Sequence, residues 1–208
     1  MLSVRSQLLE TIRDAYPEDF EGLDPSKTLG ETVFGGLKPH PNAVLNLFVQ
    51  QNVTWALPMA YYMAARRGLD SLMDPRLSPS GTLSGQTLRS AMRGLMALRE
   101  MELKETYRIV FALKDANPIG CSSMQCLSRS WKEPLDVGIA GAYQRAFDRI
   151  TGSTVGATRI LQVLQASEFA EDVGPEFCRV CVEKIQMEHV GVRRKAWVAL
   201  PEVFSLRV

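Results

Sequence analysis

Histidine occurs only twice in 208 residues, at His40 and His189. Histidine-based acid–base chemistry therefore has little material to work with. No nucleophile elbow and no His-Glu-x-x-His pattern occurs either. The net charge is +1, so no broad electrostatic footprint for nucleic acid or an anionic membrane exists, although a local basic patch is still open. No apolar run approaches the ~18 residues of a membrane span. The opening "MLSVRSQLLETIRDAY" alternates charged with apolar residues and lacks the apolar core of a secretory signal. The expectation is an intracellular chain, cytoplasmic or nuclear, with no membrane partner. Convincing strand runs, internal repeats and low-complexity tracts are also missing.

What is present is helical periodicity on an ordinary globular composition, 46% hydrophobic and 23% charged. Leu8, Leu9, Ile12 and Tyr16 form a stripe that Pro17 ends, so residues 1–22 read as a linker helix. Residues 23–41, rich in Gly and Pro, read as a loop. Residues 42–208 read as one helical domain. Pro41 suits a first helical position, Thr54 suits the cap of "WALPMAYYMAARRG", and Gly68 falls just past that helix. The longest helix is predicted over about 86–113, with Leu88, Met92, Leu95, Met96, Leu103, Tyr107 and Val110 facing a core. Two shorter helices follow near 138–150 and 154–167. A last one starts near Pro175 and runs toward Arg194, with Pro201 breaking any helix beyond. Trp197, Leu200 and Phe204 fall on one helical face, and Trp197 and Phe204 are expected to pack onto the body and close the core; the alternative is a loose tail for a partner groove. The fold class is all-α: an irregular domain of about six to eight packed helices with no central sheet.

The four cysteines come as two close pairs, Cys121 with Cys126 and Cys178 with Cys181, 51 residues apart. In a reducing compartment such pairs read as metal ligands or free thiols before disulfides. Two short chelating pairs suit a four-thiolate structural zinc. Cys178 and Cys181 would share a helix face in a first turn, where the dipole favours the thiolate. Such a zinc would pin the end of the long helix to the start of the last one. His189 does not fit as a ligand, because eight residues of helix beyond Cys181 amount to about 12 Å of rise. Two other readings remain open. Four cysteines can be small buried core residues, and a disulfide version has three possible connectivities.

Other motifs carry less. "TGSTVGATR" lacks the Lys-Ser/Thr and the preceding strand of a phosphate loop and reads as a turn with Ser153 or Thr154 as a cap. Arg193, Arg194 and Lys195 can touch anions but also suit the late turns of a helix. A thiol-redox enzyme using Cys178 and Cys181 would want a βαβ setting, which the pattern does not offer.

Four stretches together resemble the region C-terminal to the BTB/POZ fold in BTB-domain-containing proteins of basidiomycete fungi. They are "HPNAVLNLFVQQNVTWALPMAYYMAA", "LSGQTLRSAMRGLMALREMELKETYRIVF", "CSSMQC" and "FCRVCVEKIQMEHVGVRRKAWVALPEVFSL". The last, a Cys-x-x-Cys helix followed by Gly-x-x-x-x-Trp-x-x-Leu-Pro-x-x-Phe, is the most specific. The resemblance covers about residues 1–206, and the BTB domain itself is absent from this sequence. It implies a non-enzymatic interaction or adaptor module with protein partners and no small-molecule substrate. Cys121, Cys126, Cys178 and Cys181 are then expected to hold a structural zinc. The alternative is a transcription-associated regulator touching nucleic acid weakly through Arg193, Arg194 and Lys195.

Overall fold

The computed structural model describes residues 10, 12–13, 16–22, 39–74, 81–115, 145, 147–148, 158, 160–161 and 179–206, without the side chains of 110–115 and 181. Among these residues helix dominates and no strand occurs, as the all-α reading expects. The helices are α1 (Pro41–Gln50), α2 (Leu57–Ala65), α3 (Leu69–Leu72), α4 (Gly85–Asp115) and α5 (Arg179–Val203), with a 3-10 turn at Thr54–Ala56. The chain divides into two compact units. The first takes 1–99, 155–158 and 197–208; the second takes 100–154 and 159–196.

Local chemistry sets the ends of the first unit's helices. Pro41 opens α1, where its missing N–H costs nothing. The cap is His40, whose Nδ1 accepts from the Asn42 N–H at 3.3 Å. Burial, then the charge of Arg67, holds the His40 pKa below its ordinary value, against a smaller opposing pull from Asp74. That keeps Nδ1 free to accept. Asn52 takes a left-handed φ of 53° after α1, a conformation asparagine tolerates. Thr54 is not the cap expected of it. It opens the 3-10 turn instead, and α2 starts without a side-chain cap, with Pro58 in its first turn. Gly68, at φ 91°, sits past α2 in the region only glycine enters freely. Ser84 caps α4, its Oγ accepting from the Thr87 N–H at 3.2 Å.

α2 is buried on every side, from Met59 through Ala65 without a break. Such a helix belongs to a core. The segment before the loop is held against this unit as well. Ile12 and Tyr16 are buried, and the Tyr16 ring meets Phe48 edge-on at 5.0 Å. Burial pushes the Tyr16 hydroxyl up to about 12. The Arg13 guanidinium lies 5.7 Å from the Trp55 ring centre and pairs with Glu18. Asn42 Nδ2 donates to Ser71 O and Leu72 O, tying α1 to α3. Asn46 Nδ2 donates to Thr82 O at 2.8 Å, and the Thr158 N–H to Arg66 O at 3.2 Å.

α5 corrects the reading of Pro201. The helix runs through it to Val203, since a proline this late leaves only one carbonyl of the last turns without its usual partner. Phe204 is fully buried, as expected, and Leu200 with it, whereas Trp197, expected to pack as Phe204 does, is only half-buried. The Phe204 ring stacks on Tyr61 at 5.2 Å and presses on Gly94. A Cβ at Gly94 would lie 2.1 Å from Phe204 Cδ1 and Cε1.

α4 is the longest element described, as expected, but its inward face is not the apolar one. Of the residues expected inside, only Leu95 is fully buried. Met96 is 68% and Tyr107 59% exposed, Leu103 is exposed, and Leu88 and Met92 are half-buried. The side chain of Val110 lies outside the described residues. The buried set is Thr87, Ala91, Leu95, Leu98, Glu102, Glu105, Thr106 and Ile109. Most of the expected positions are displaced by one residue, which on a helix is a rotation of about 100°.

Candidate functional site

Cys121, Cys126 and Cys178 lie outside the described residues, and Cys181 is described only as backbone of α5. The geometry of the four sulfurs is therefore not on view. Among the described residues no group of three or more His, Cys, Asp or Glu side chains could hold a metal.

The chemically distinctive feature on view is a polar interior in the second unit, contributed by α4 and α5. Glu102 is 1% exposed, and Glu105, Thr106, His189 and Arg193 are buried with it. Helical spacing explains the grouping. Residues 102, 105, 106 and 109 share one side of α4; 182, 185, 189, 192, 193 and 196 share one side of α5. Apolar side chains line the same faces: Ile109 on α4, and Val182, Ile185, Val192 and Ala196 on α5.

Charges are paired rather than left bare. Glu105 accepts from Lys195 Nζ and from Arg108 Nε, the latter at 2.9 Å. The Lys195 hydrogen bond is the largest influence holding the Glu105 carboxyl below its usual pKa. Burial opposes it, and Arg108 adds to it. Arg108 Nη2 also reaches Glu188 at 3.1 Å, and its two glutamates raise its own pKa. Arg193 Nε donates to Leu161 O at 3.0 Å. His189, 4% exposed, is held neutral: burial pushes its pKa down to about 4, helped by Arg193. It packs in the interior of this unit.

These pairs fix a direction. Glu105 meets Lys195 and Arg108 meets Glu188, so α4 and α5 run antiparallel in this unit. They also change what the basic run can do. Arg193 is buried and bonded to a carbonyl, and Lys195 is bonded to Glu105. Of the three cations read as a possible anion contact, Arg193 is thus buried, and Lys195, though 61% exposed, is paired within the chain. Both histidines are likewise engaged in structure, one as a helix cap and one as packing.

Sequence reading found none of the buried polar set except His189. Polar residues recur at three- and four-residue spacing on both helices: Glu102, Glu105, Thr106 on one and His189, Arg193 on the other. Two such polar stripes, one carrying carboxylates and the other a guanidinium, were the available signal.

On the outer faces the same helices expose apolar side chains. Leu103 and Tyr107 do so on α4; Val180, Met187 and Val190 do so on α5, with Met187 at 74%. Beside them a Cβ placed at Gly191 would meet nothing within 4 Å. Among the described residues no helix is long and apolar enough to cross a membrane. No protein-family model, no curated protein and no solved structure matches the chain.

Proposed function

We propose that the chain is a non-enzymatic protein-interaction module of the adaptor kind, with a structural zinc on Cys121, Cys126, Cys178 and Cys181. The observation that carries the interaction reading is the orientation of α4 in the second unit. Leu103 and Tyr107 face outward while the neighbouring Glu102 and Thr106 are buried. A helix that buries carboxylates and exposes an aromatic ring and a leucine carries an outer face suited to a partner. Val180, Met187 and Val190 give α5 a similar face. The resemblance to the region beside a BTB fold points the same way.

The spacing of the cysteines supports the zinc: Cys121 with Cys126 and Cys178 with Cys181 are two short chelating pairs, the ligand set of a four-thiolate structural site with zinc–sulfur bonds of about 2.3 Å.

The test has two arms on the full chain. Elemental analysis of purified protein is expected to give one zinc per chain, lost in a Cys178→Ser variant. Tyr107→Glu and Met187→Glu should leave the helical signal intact. They should also remove a reproducible set of neighbours in proximity labelling within cells. A chain without metal defeats the zinc reading. An unchanged set of neighbours in both surface variants defeats the interaction reading.

A further inference from the structure

α5 has two unlike sides. One buries Val182, Ile185, His189 and Val192. At about 100° per residue, Val180, Glu183, Met187, Val190, Gly191 and Arg194 fall on the opposite side, within an arc of about 100°. All six are exposed, and all belong to the second unit. Gly191 leaves a notch near the middle of this stripe, since a Cβ placed there meets nothing within 4 Å. Charge is ordered along it: the acid Glu183 stands before the apolar centre and the base Arg194 after it.

Turned end for end, the stripe matches itself. A two-fold axis between positions 188 and 189 sets Met187 against Val190 of a second copy, and Glu183 against that copy's Arg194. We infer that this face of α5 docks antiparallel on the same face of a second copy, making a two-fold dimer. The inference rests on the interaction reading and names the partner of one of its faces. An isologous contact uses each complementary pair twice, so one acid and one base per chain supply two ion pairs. A parallel, in-register pairing would set like charge against like. Exposed ion pairs add little affinity but choose orientation and partner; the apolar centre supplies the contact. Glu183 already accepts from Arg179 within α5 at 2.7 Å. A carboxylate can accept from two cations at once, as Glu105 does from Lys195 and Arg108. The guanidinium fork has donors enough for Arg194 to meet a carboxylate beside its contacts within the chain. Gly191 lets the two helix axes approach toward the short end of the usual spacing of about 8–10 Å, and the long, unbranched Met187 fits the notch it leaves.

Analytical ultracentrifugation of the full chain over a range of concentrations tests this. The unaltered chain is expected to shift toward twice its mass as concentration rises. Glu183→Arg and Arg194→Glu each turn both ion pairs into like-charge contacts. Both side chains are exposed, so the helical signal should persist while association weakens by about tenfold or more. Mixed in equal amounts, the two variants regain both pairs, one copy carrying two bases and the other two acids. The mixture should therefore dimerise where neither variant does alone. A chain that is monomeric throughout overturns the inference. So does a dimer that both reversals leave intact, or a mixture no more associated than its components. In any of these cases, loss of other neighbours in proximity labelling by Met187→Glu would keep the interaction reading standing, with an unrelated partner on this face.

Discussion

Replacing Gly94 with alanine sets two physical effects against each other. Gly94 is the tenth residue of α4, a position where alanine is favoured over glycine by about 1 kcal/mol. Propensity alone therefore predicts a more stable protein. The packing predicts the reverse. A Cβ there would stand 2.1 Å from two carbons of the Phe204 ring and 3.0 Å from a third. Separations this short cannot be absorbed in place. The ring cannot simply slide aside, because Tyr61 stacks on it at 5.2 Å and it is fully buried. Expelling it altogether would approach the ~3–5 kcal/mol of a Phe→Ala truncation, and partial shifts of helix and ring fall in the ~1–3 kcal/mol overpacking range. Net of the propensity gain, Gly94→Ala should destabilise by up to about 2 kcal/mol through partial shifts, and by about 2–4 kcal/mol if the ring is expelled. Urea unfolding followed by circular dichroism measures it. A double-mutant cycle with Phe204→Leu isolates the cause, since the smaller side chain should recover most of the loss. A more stable Gly94→Ala protein, or no coupling to Phe204, would refute the argument.

Three further outcomes follow from other contacts. His189 titrates near 4 when folded and near 6.5 when unfolded, so the unfolded chain binds the extra proton first. Stability should fall as pH drops from about 6.5 to 4, by up to about 3 kcal/mol, and His189→Leu should flatten that part of a urea-midpoint profile. Glu105→Gln removes the charge that Lys195 and Arg108 share. Both cations are more than half exposed, so the cost should be only about 1–2 kcal/mol by urea unfolding, well below that of a fully buried pair. Asn42→Ala strands the carbonyls of Ser71 and Leu72 but also removes a buried Oδ1 that has no partner. A loss of about 1–2 kcal/mol in thermal or urea unfolding is expected, and a gain would mean the orphaned oxygen dominates.

Where the sequence was readable, one residue type decided the local structure. Pro41 marks the start of α1 and Gly68 the end of the α2 region, because each has a restricted or special backbone. The apolar run from Met59 to Ala65 has no polar face to misplace, so its burial followed directly. Thr54 and Pro201 misled because a residue's preference is not its use. A 3-10 turn replaced the expected cap, and proline late in a helix displaces few hydrogen bonds. The face of α4 misled for a deeper reason. Hydrophobic periodicity assumes that polar side chains are costly to bury, yet Glu105 is met by Lys195 and Arg108 from elsewhere on the two helices. Partners 80 and 90 residues away, as Glu188 and Lys195 are, leave no trace in a local window. The zinc proposal is in the opposite position: its cysteines were legible at once, but Cys121, Cys126 and Cys178 lie outside the described residues and Cys181 is described only as backbone.

α4 in effect offers two inward faces, one residue apart. One would bury Met96, Leu103 and Tyr107; the other buries Leu95, Glu102 and Thr106. By apolar content alone the first should win, since each buried aromatic or aliphatic side chain is worth about 1.5–3 kcal/mol. The second prevails in the structure, and the electrostatics supply a reason. Rotating α4 by one position would carry Glu105 away from Lys195 and expose Arg108 to a different neighbour than Glu188. Charge pairs of this kind can select a face and a register while adding little net stability, as a polar residue in a coiled-coil seam does. That choice leaves the apolar side of α4 outward, and an outward apolar face on a helix locked by charge pairs is a surface with a fixed presentation. On the interaction reading proposed above, fixed presentation would lower the ordering cost of binding relative to a mobile tail of equal composition.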